Sequence, residues 1–573
     1  MPTIDLYTDG KIHVASEMRE RDMVKLVPGT TWDREGKQWT APLSWGSCIA
    51  FRGVFGDALQ IGPGLMDWAQ RARDERIDPA MRMRTALESP ALMESEPNLY
   101  PFQRVGVDFL ETTGRALLAD DMGSGKTIQL IRTVERLGPY ALPVLVVCPN
   151  SMKYTWKAEI EKWSDLTASV VDGTAAKRKK AIDSHDDVII INWESLRLHT
   201  RLAPYGSINL SDKEKELKEL NAIDWGTVIA DEAHRAKDAR SKQTRALWAV
   251  SRDAKHRFAA TGTPIESNPS ELWPIMNFIS PQDFPRKTKY IDRYCLQSYN
   301  PFGGMDIIGL LPEHAAEFHA IVDPMMLRRP KDVILPQLPP KLESVRYIPF
   351  SGKQKTAYDQ MAASMIAQLG DEMLVATSPI SQFVRLSQFA SAYAEINDEG
   401  AVELATPSNK IDAFMEIIEE ARGEQVVAFA ESKQLINLAA KKLKAAGVGY
   451  GLITGDIDVP MRQVVMNQFQ AGEIQVVLGT SAAAEGITLT AARILVFLQR
   501  FWSSIKNQQA ADRIHRIGQT ADKVEIITLA TLGTVDEYRE EVLAEKGEAL
   551  QEILKDDDIR MEMLKWGKRR RKS

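Results

Sequence analysis

Short runs of uninterrupted apolar residues, separated by stretches with helical spacing, fill two long blocks of this chain and limit its possible folds more than any other feature. In the first block they are Ala116–Ala119, Val144–Val147, Val188–Ile191, Val228–Ala230 and Phe258–Ala260. In the second they are Val426–Phe429, Gly451–Ile453, Val476–Leu478, Ile494–Leu498 and Val524–Leu529. A strand with one face in water alternates polar and apolar residues. Runs that are apolar throughout are buried on both faces, as in a parallel sheet covered by helices. Ile411, Phe414, Met415 and Ile418, at i, i+3, i+4 and i+7, mark one such cover. The expected fold class is α/β, with two parallel-sheet lobes in tandem.

The lobes are expected at 91–335 and 336–560, with a helical insert at about 351–400. Between them lies the proline-rich stretch Ile334–Lys341, stiff and poor in donors, which suits a hinge. Residues 1–90 carry Trp32, Trp39, Trp45 and Trp68 and read as a small accessory domain, and 561–573 read as a basic tail.

Of the 573 residues, 44% are hydrophobic and 26% charged, the balance of a globular protein with real cores. The net charge of −6 confines any nucleic-acid surface to a local stripe. The three cysteines, Cys48, Cys148 and Cys295, are far apart and form no Cys-x-x-Cys pair, which argues against structural zinc and disulfides and fits a reducing, cytoplasmic setting. No apolar run approaches the roughly 20 residues that cross a bilayer, so no membrane partner is expected. The N-terminus lacks the apolar core of a signal peptide.

The sequence Asp120-Asp121-Met122-Gly123-Ser124-Gly125-Lys126-Thr127 follows a strand run and opens a helix through Ile128, Ile131 and Val134. Glycines there let backbone N–H groups close around phosphate oxygens at a helix N-terminus. Lys126 would meet the β- and γ-phosphates of a nucleotide, and the Thr127 hydroxyl would ligate Mg²⁺. One position departs from the usual pattern: Asp120 stands where such loops begin with glycine. Asp231-Glu232-Ala233-His234 ends the run Val228–Ala230, at the strand edge where α/β sheets bind ligands. Asp231 would hold the metal and Glu232 would orient the attacking water; the bland alternative for two such acids is a helix cap.

The order of these motifs resembles helicase superfamily two, and within it the Swi/Snf-type DNA translocases, over residues 99–545. Leu99-Tyr100-Pro101-Phe102-Gln103 resembles the adenine-reading motif, with Gln103 facing the base. Val146–Pro149 with Trp156, Thr261–Asn268 and Met326-Leu327-Arg328-Arg329-x-Lys331 resemble later motifs. Gln509–Gln519 resembles the last one, with Arg513 and Arg516 three apart on one helical face. The resemblance implies that these arginines reach the γ-phosphate of ATP bound on the first lobe. It implies ATP and Mg²⁺ as cofactors, double-stranded or branched DNA as partner, a monomeric motor, and DNA contacts at Lys153, Asn268 and Trp502. Asp121, Met122, Gly123, Ser124 and Gly125 would line the nucleotide with Gln103, Lys126 and Thr127.

Ala482-Ala483-Ala484-Glu485-Gly486 departs from the consecutive glycines of that family, and Ser503-Ser504 after Trp502 departs from its Asn-Pro. Val27-Pro28-Gly29-Thr30-Thr31-Trp32-Asp33 with Lys37-Gln38-Trp39 is similar to the HARP-type module of annealing helicases, which rewind DNA and remodel forks. Packing and DNA contact are both open roles for these tryptophans. Lys177–Lys180 reads as a solvated helix face, and Lys565–Lys572 as a solvated end or a phosphate-binding one. A strand-separating helicase and the motor of a restriction or nuclease complex remain the alternative functions.

Overall fold

Parallel strands form where the apolar runs lie, because only burial on both faces accommodates them. The computed structural model describes residues 1–206, 208–265, 268–299, 304–350, 352–369, 372–377, 379–398, 400–481, 487–541 and 543–544. One compact unit spans Met1–Pro336 and a second begins at Gln337, inside the proline-rich stretch.

The first unit holds a parallel sheet in the order Met326–Leu327, Arg115–Leu118, His256–Ala260, Thr227–Asp231, Val144–Cys148, Val188–Asn192, Ala168–Val170. The strand His256–Ala260 therefore lies between Arg115–Leu118 and Thr227–Asp231. The segments leaving these three strands, carrying residues 119–127, 231–232 and 261–263, emerge side by side at one sheet edge. Helices Pro101–Thr113 and Lys126–Leu137 cover one face with Phe109, Leu110, Leu130, Ile131 and Val134. Each such side chain contributes about 1.5–3 kcal/mol by leaving water.

A separate five-stranded sheet lies at the N-terminus, in the order Thr31–Asp33, Gln38–Pro42, Lys11–Ala15, Thr3–Leu6, Gln60–Ile61. Ile12, Val14 and Phe51 sit in its own apolar core. Trp32 and Trp39 face each other across the hairpin at 5.5 Å, and Trp32 is 49% exposed. The sheet is tied to the rest of its unit. Trp45 Nε1 donates to the Ala320 carbonyl at 3.1 Å, and the Gly46 N–H to Asp283 at 2.6 Å.

The second unit holds a parallel sheet in the order Lys341–Ile348, Val524–Thr531, Ile494–Phe497, Val426–Phe429, Val476–Gly479, Tyr450–Ile453. One strand was not expected, and one expectation needs correction. Directly after the proline-rich stretch lies a strand the sequence did not announce: Lys341–Ile348 pairs with Val524–Thr531 along its whole length. As an exposed edge strand, it carries the polar sequence KLESVRYI and lacked the apolar signal. The region 351–400 is not simply helical. Helices Gly352–Ser364 and Pro379–Ser391 alternate with hairpins Ile366–Leu369/Glu372–Val375 and Tyr393–Ile396/Val402–Ala405. The second hairpin turns through Gly400 at φ +77°, with Asn397 Oδ1 accepting from the Ala401 N–H at 2.8 Å.

Lys177, Lys179 and Lys180 are exposed on helix Ala175–Ile182. The three cysteines are free. Among the described residues no helix is long and apolar enough to cross a membrane.

Candidate nucleotide site

The loop after Arg115–Leu118 closes because two glycines take left-handed backbone: Gly123 has φ +79° and Gly125 φ +75°. L side chains rarely adopt that region. Helix Lys126–Leu137 starts directly at the lysine, and Thr127 is its second residue. The Lys126 ammonium donates to the carbonyls of Asp120 and Asp121, at 2.9 and 3.3 Å, so the loop it belongs to also aims it. Burial lowers its pKa, opposed by the carboxylates of Glu232, Asp120, Asp231 and Asp121. Ser124 is fully buried, and its hydroxyl has no hydrogen-bond partner.

Gln103 packs against this loop. Its Nε2 donates to the Ser124 carbonyl at 3.1 Å, and its Oε1 accepts from the Tyr100 N–H at 3.1 Å. A Cβ on Gly125 would stand 2.5 Å from Gln103 Nε2, so this glycine also serves a close approach.

Asp120 occupies the place of the usual glycine because it has a buried partner. Arg329 donates through Nε at 2.9 Å to one carboxylate oxygen and through Nη2 to the other. Arg329 Nη1 donates to the Phe102 carbonyl at 2.7 Å. Next to it, Arg328 Nη1 donates to the carbonyls of Ala119 and Gly262, at 3.2 and 3.1 Å. The Lys331 N–H donates to Asp121 Oδ2 at 2.9 Å. The segment Arg328–Lys331 thus clamps the first half of the loop. The sequence motif marked the place without giving the role; the signal was a charged residue where a glycine was due.

Asp231 ends its strand buried. Trp156 Nε1 donates to its Oδ2 at 2.8 Å, the Glu232 N–H to its Oδ1 at 2.9 Å, and Trp193 Nε1 to its carbonyl at 2.9 Å. Burial, then the charge of Glu232, pushes the Asp231 carboxyl up to about 6. Glu232 has φ +49°, an unusual conformation for a side-chain-bearing residue and one that collects at working sites. His234 Nδ1 lies 3.3 Å from Glu232 Oε2 and 3.1 Å from Thr261 Oγ1, joining the second loop to the third. Gly262 abuts the phosphate loop: a Cβ there would meet Met122 Cγ at 2.6 Å.

One edge of the first sheet therefore gathers Gln103, Asp121, Met122, Gly123, Ser124, Gly125, Lys126, Thr127, Asp231 and Glu232. Asn268 accepts from the Ser270 N–H and hydroxyl, at 3.1 and 2.7 Å, as a helix cap. Lys153, expected as a DNA contact, lies buried in the first unit. It is 3% exposed and pairs with Asp172 at 3.1 Å, because the start of helix Lys153–Trp163 is packed against its own unit.

In the second unit, Arg513 and Arg516 do not lie on a helix. Helix Ser504–Ala511 ends before them, and they follow in turns closed by bonds such as Arg513 N–H to the Ala510 carbonyl at 3.1 Å. They still converge. Arg513 Nη1 donates to the Ile487 carbonyl at 3.3 Å, and Arg516 Nη1 to Thr488 Oγ1 at 3.0 Å. Trp502 packs between Phe383, at 5.3 Å, and the Arg539 guanidinium, at 4.4 Å. Glu266, Ser267, Ala482–Gly486 and the basic tail fall outside the described residues.

Residues 102–393 match the SNF2-related domain, and residues 409–518 match the helicase conserved C-terminal domain. The putative ATP-dependent helicase/translocase YwqA of Bacillus subtilis is 28% identical, over 80% of this chain and 49% of its own length. The human DNA annealing helicase and endonuclease ZRANB3 is 28% identical, over 78% of this chain and 40% of its own. The chain spans less than half the length of these curated relatives. The Sulfolobus solfataricus SWI2/SNF2 ATPase core in complex with dsDNA is 25% identical, with a TM-score of 0.36, covering 81% of this chain and 94% of that one. The match to the SNF2-related domain alone takes in more than half of the residues, and the chain belongs to the SNF2-related family of ATP-hydrolysing enzymes.

Proposed function

We propose that this chain is an ATP-driven translocase on double-stranded DNA, working as a monomeric motor that remodels DNA or protein–DNA complexes. The observation that carries this reading is the gathering of Lys126, Asp231 and Glu232 at one sheet edge, behind a loop opened by Gly123 and Gly125. Lys126, held by two loop carbonyls, would pair with the β- and γ-phosphates. Gln103 would read the base edge with the amide hydrogen left after its bond to Ser124.

The residues fit Mg²⁺. The buried Asp231 carboxyl and the partly exposed Glu232 carboxyl act on each other, an arrangement that a divalent cation relieves, and the Thr127 hydroxyl is a hard oxygen donor. Asp231 and Thr127 would hold the ion, which when bound neutralises charge developing on the phosphates. Glu232, oriented by its backbone and by His234, would position the water that attacks. Arg513 and Arg516 would bring guanidinium charge to the transferred phosphoryl when the motor closes, and relax when it opens.

DNA contacts at Asn268 and Trp502 belong to the proposal, and Lys153 does not. The half-exposed Trp32 on the N-terminal hairpin supports a use on branched DNA, in annealing or fork remodelling. A cytoplasmic setting agrees with three reduced cysteines.

Triplex displacement and unwinding of tailed duplexes, run side by side with ATP, test the reading. Displacement of the third strand without unwinding is expected. Unwinding without displacement would favour a strand-separating helicase instead.

A further inference from the structure

The first unit has a cavity of about 930 Å³ at the sheet edge opposite the nucleotide site. Its place follows from Arg257, which lines it and is the second residue of strand His256–Ala260, whereas the phosphate loop and Asp231 lie where strands end. Arg240, Arg252, Arg257, Arg286 and Lys287 line the cavity, and no carboxylate is among its described lining residues. Outside the lining, the carboxylates of Asp238 and Glu271 act on Lys287 and that of Asp253 on Arg257, and the Arg240 N–H donates to Asp238 at 2.9 Å.

The wall is aromatic as well as cationic. Tyr205, Trp248 and Trp273 form a mutual cluster with ring centroids 5.7 to 6.1 Å apart. Trp248 spends its N–H on the Pro274 carbonyl at 3.2 Å. Trp273 Nε1 and Arg257 Nε are buried and have no hydrogen-bond partner among the described residues. Arg257 is already rigid. Its other nitrogens donate to the carbonyls of Phe278, at 3.1 Å, and Arg252, at 2.6 Å.

A wall with five cationic side chains and no carboxylate among its described lining residues favours phosphate, and flat aromatic walls favour a ring. We propose that this cavity is a second nucleotide-binding site, taking one phosphate with its base, either as a free nucleotide or as a unit of single-stranded nucleic acid. Its volume lies within the range of small-ligand pockets, about 300–1,000 Å³. Arg286 also lines a neighbouring cleft with Lys25, Lys289, Trp32 and Trp39, again with no carboxylate among the described lining residues. A strand leaving the cavity would meet a second set of cations and rings there, which places the strand ahead of the free nucleotide.

The test is fluorescence anisotropy of the full chain with labelled oligo-dT, without ATP, across a salt series. The variant Arg252→Glu/Arg286→Glu changes two exposed side chains and leaves the nucleotide loop untouched, and its DNA-independent ATP turnover should match the parent. It should lose about tenfold or more in oligo-dT affinity, and the salt slope should fall by about 1.4, for two phosphates at roughly 0.7 each. Trp248→Ala should lose affinity at unchanged slope. Competition by dTMP, lost in the double variant, identifies free nucleotide as a ligand; oligo-dT binding that dTMP does not compete identifies the strand. Equal affinity and slope in parent and double variant, for both probes, would overturn the site. Because ATP is absent, this result is separable from failure of duplex-stimulated turnover, which bears on the motor reading alone.

Discussion

Arg329 donates to both carboxylate oxygens of Asp120, and neither residue is exposed to solvent. The pair joins the end of one lobe-one strand to the phosphate loop and replaces the freedom of a glycine with a fixed ionic clamp. Losing one partner strands a buried charge, which costs about 3–5 kcal/mol. Asp120→Ala should therefore lower thermal stability steeply and weaken ATP binding. Asp120→Ala/Arg329→Met should recover much of the stability but not the ATP affinity. A double-mutant cycle by calorimetry and nucleotide titration checks this; additive losses would mean that the two residues act separately.

Gly262 is required for space. A Cβ there meets Met122 Cγ at 2.6 Å and Met122 N at 3.2 Å, so Gly262→Ala should displace the loop. The expected result is a raised KM for ATP, on the order of tenfold if about 1.4 kcal/mol of binding is lost. Met122→Ala in the same chain should restore part of it. Steady-state kinetics of the two variants decide; an unchanged KM in Gly262→Ala means the loop yields freely.

Lys153 gives a negative prediction. As a buried partner of Asp172 it should not contribute a phosphate contact. Lys153→Met should leave the slope of log affinity for duplex DNA against log salt unchanged, whereas a lost phosphate contact would reduce it by about 0.9.

Arg84 and Asp323 pair at 2.6 Å within the first unit, both side chains buried. Burial raises the Asp323 carboxyl, but the bond to His319 and the charge of Arg84 outweigh it, and the pKa is held below the ordinary range. A carboxylate depressed in the folded state stabilises above its unfolded pKa of about 3.9 and loses that contribution as pH falls through the folded value. Arg84→Met should thus be less stable than the parent at neutral pH, with the gap narrowing as the pH falls below the unfolded value of about 3.9. Urea unfolding across a pH series from neutral downwards measures it; a constant gap would place the effect in packing.

The lobes were legible because their strands are buried on both faces, and nothing but a continuous apolar run can fill such a place. Val426–Phe429 was read to the residue. Lys341–Ile348 escaped because an edge strand with an exposed face needs no apolar signature. The nucleotide loop was legible because its chemistry is local: glycines, lysine and threonine within eight residues. The clamp was not, since Asp120 and Arg329 are far apart in sequence and only the fold joins them. The burial of Lys153 was not legible for a related reason: its partner Asp172 is reached only through the fold. Arg513 and Arg516 do converge on residues 487–488, yet through turns and not a helix.

The central claim is that Lys126, Glu232 and Arg516 serve one ATP-hydrolysing reaction driven by duplex DNA. Phosphate release with saturating ATP and Mg²⁺, with and without duplex, measures it in the parent, Glu232→Gln and Arg516→Ala. Turnover stimulated by duplex is predicted for the parent, with a loss of at least about 10²-fold in both variants, while each still binds ATP. Equal phosphate release by the parent and Arg516→Ala under these conditions would contradict the account.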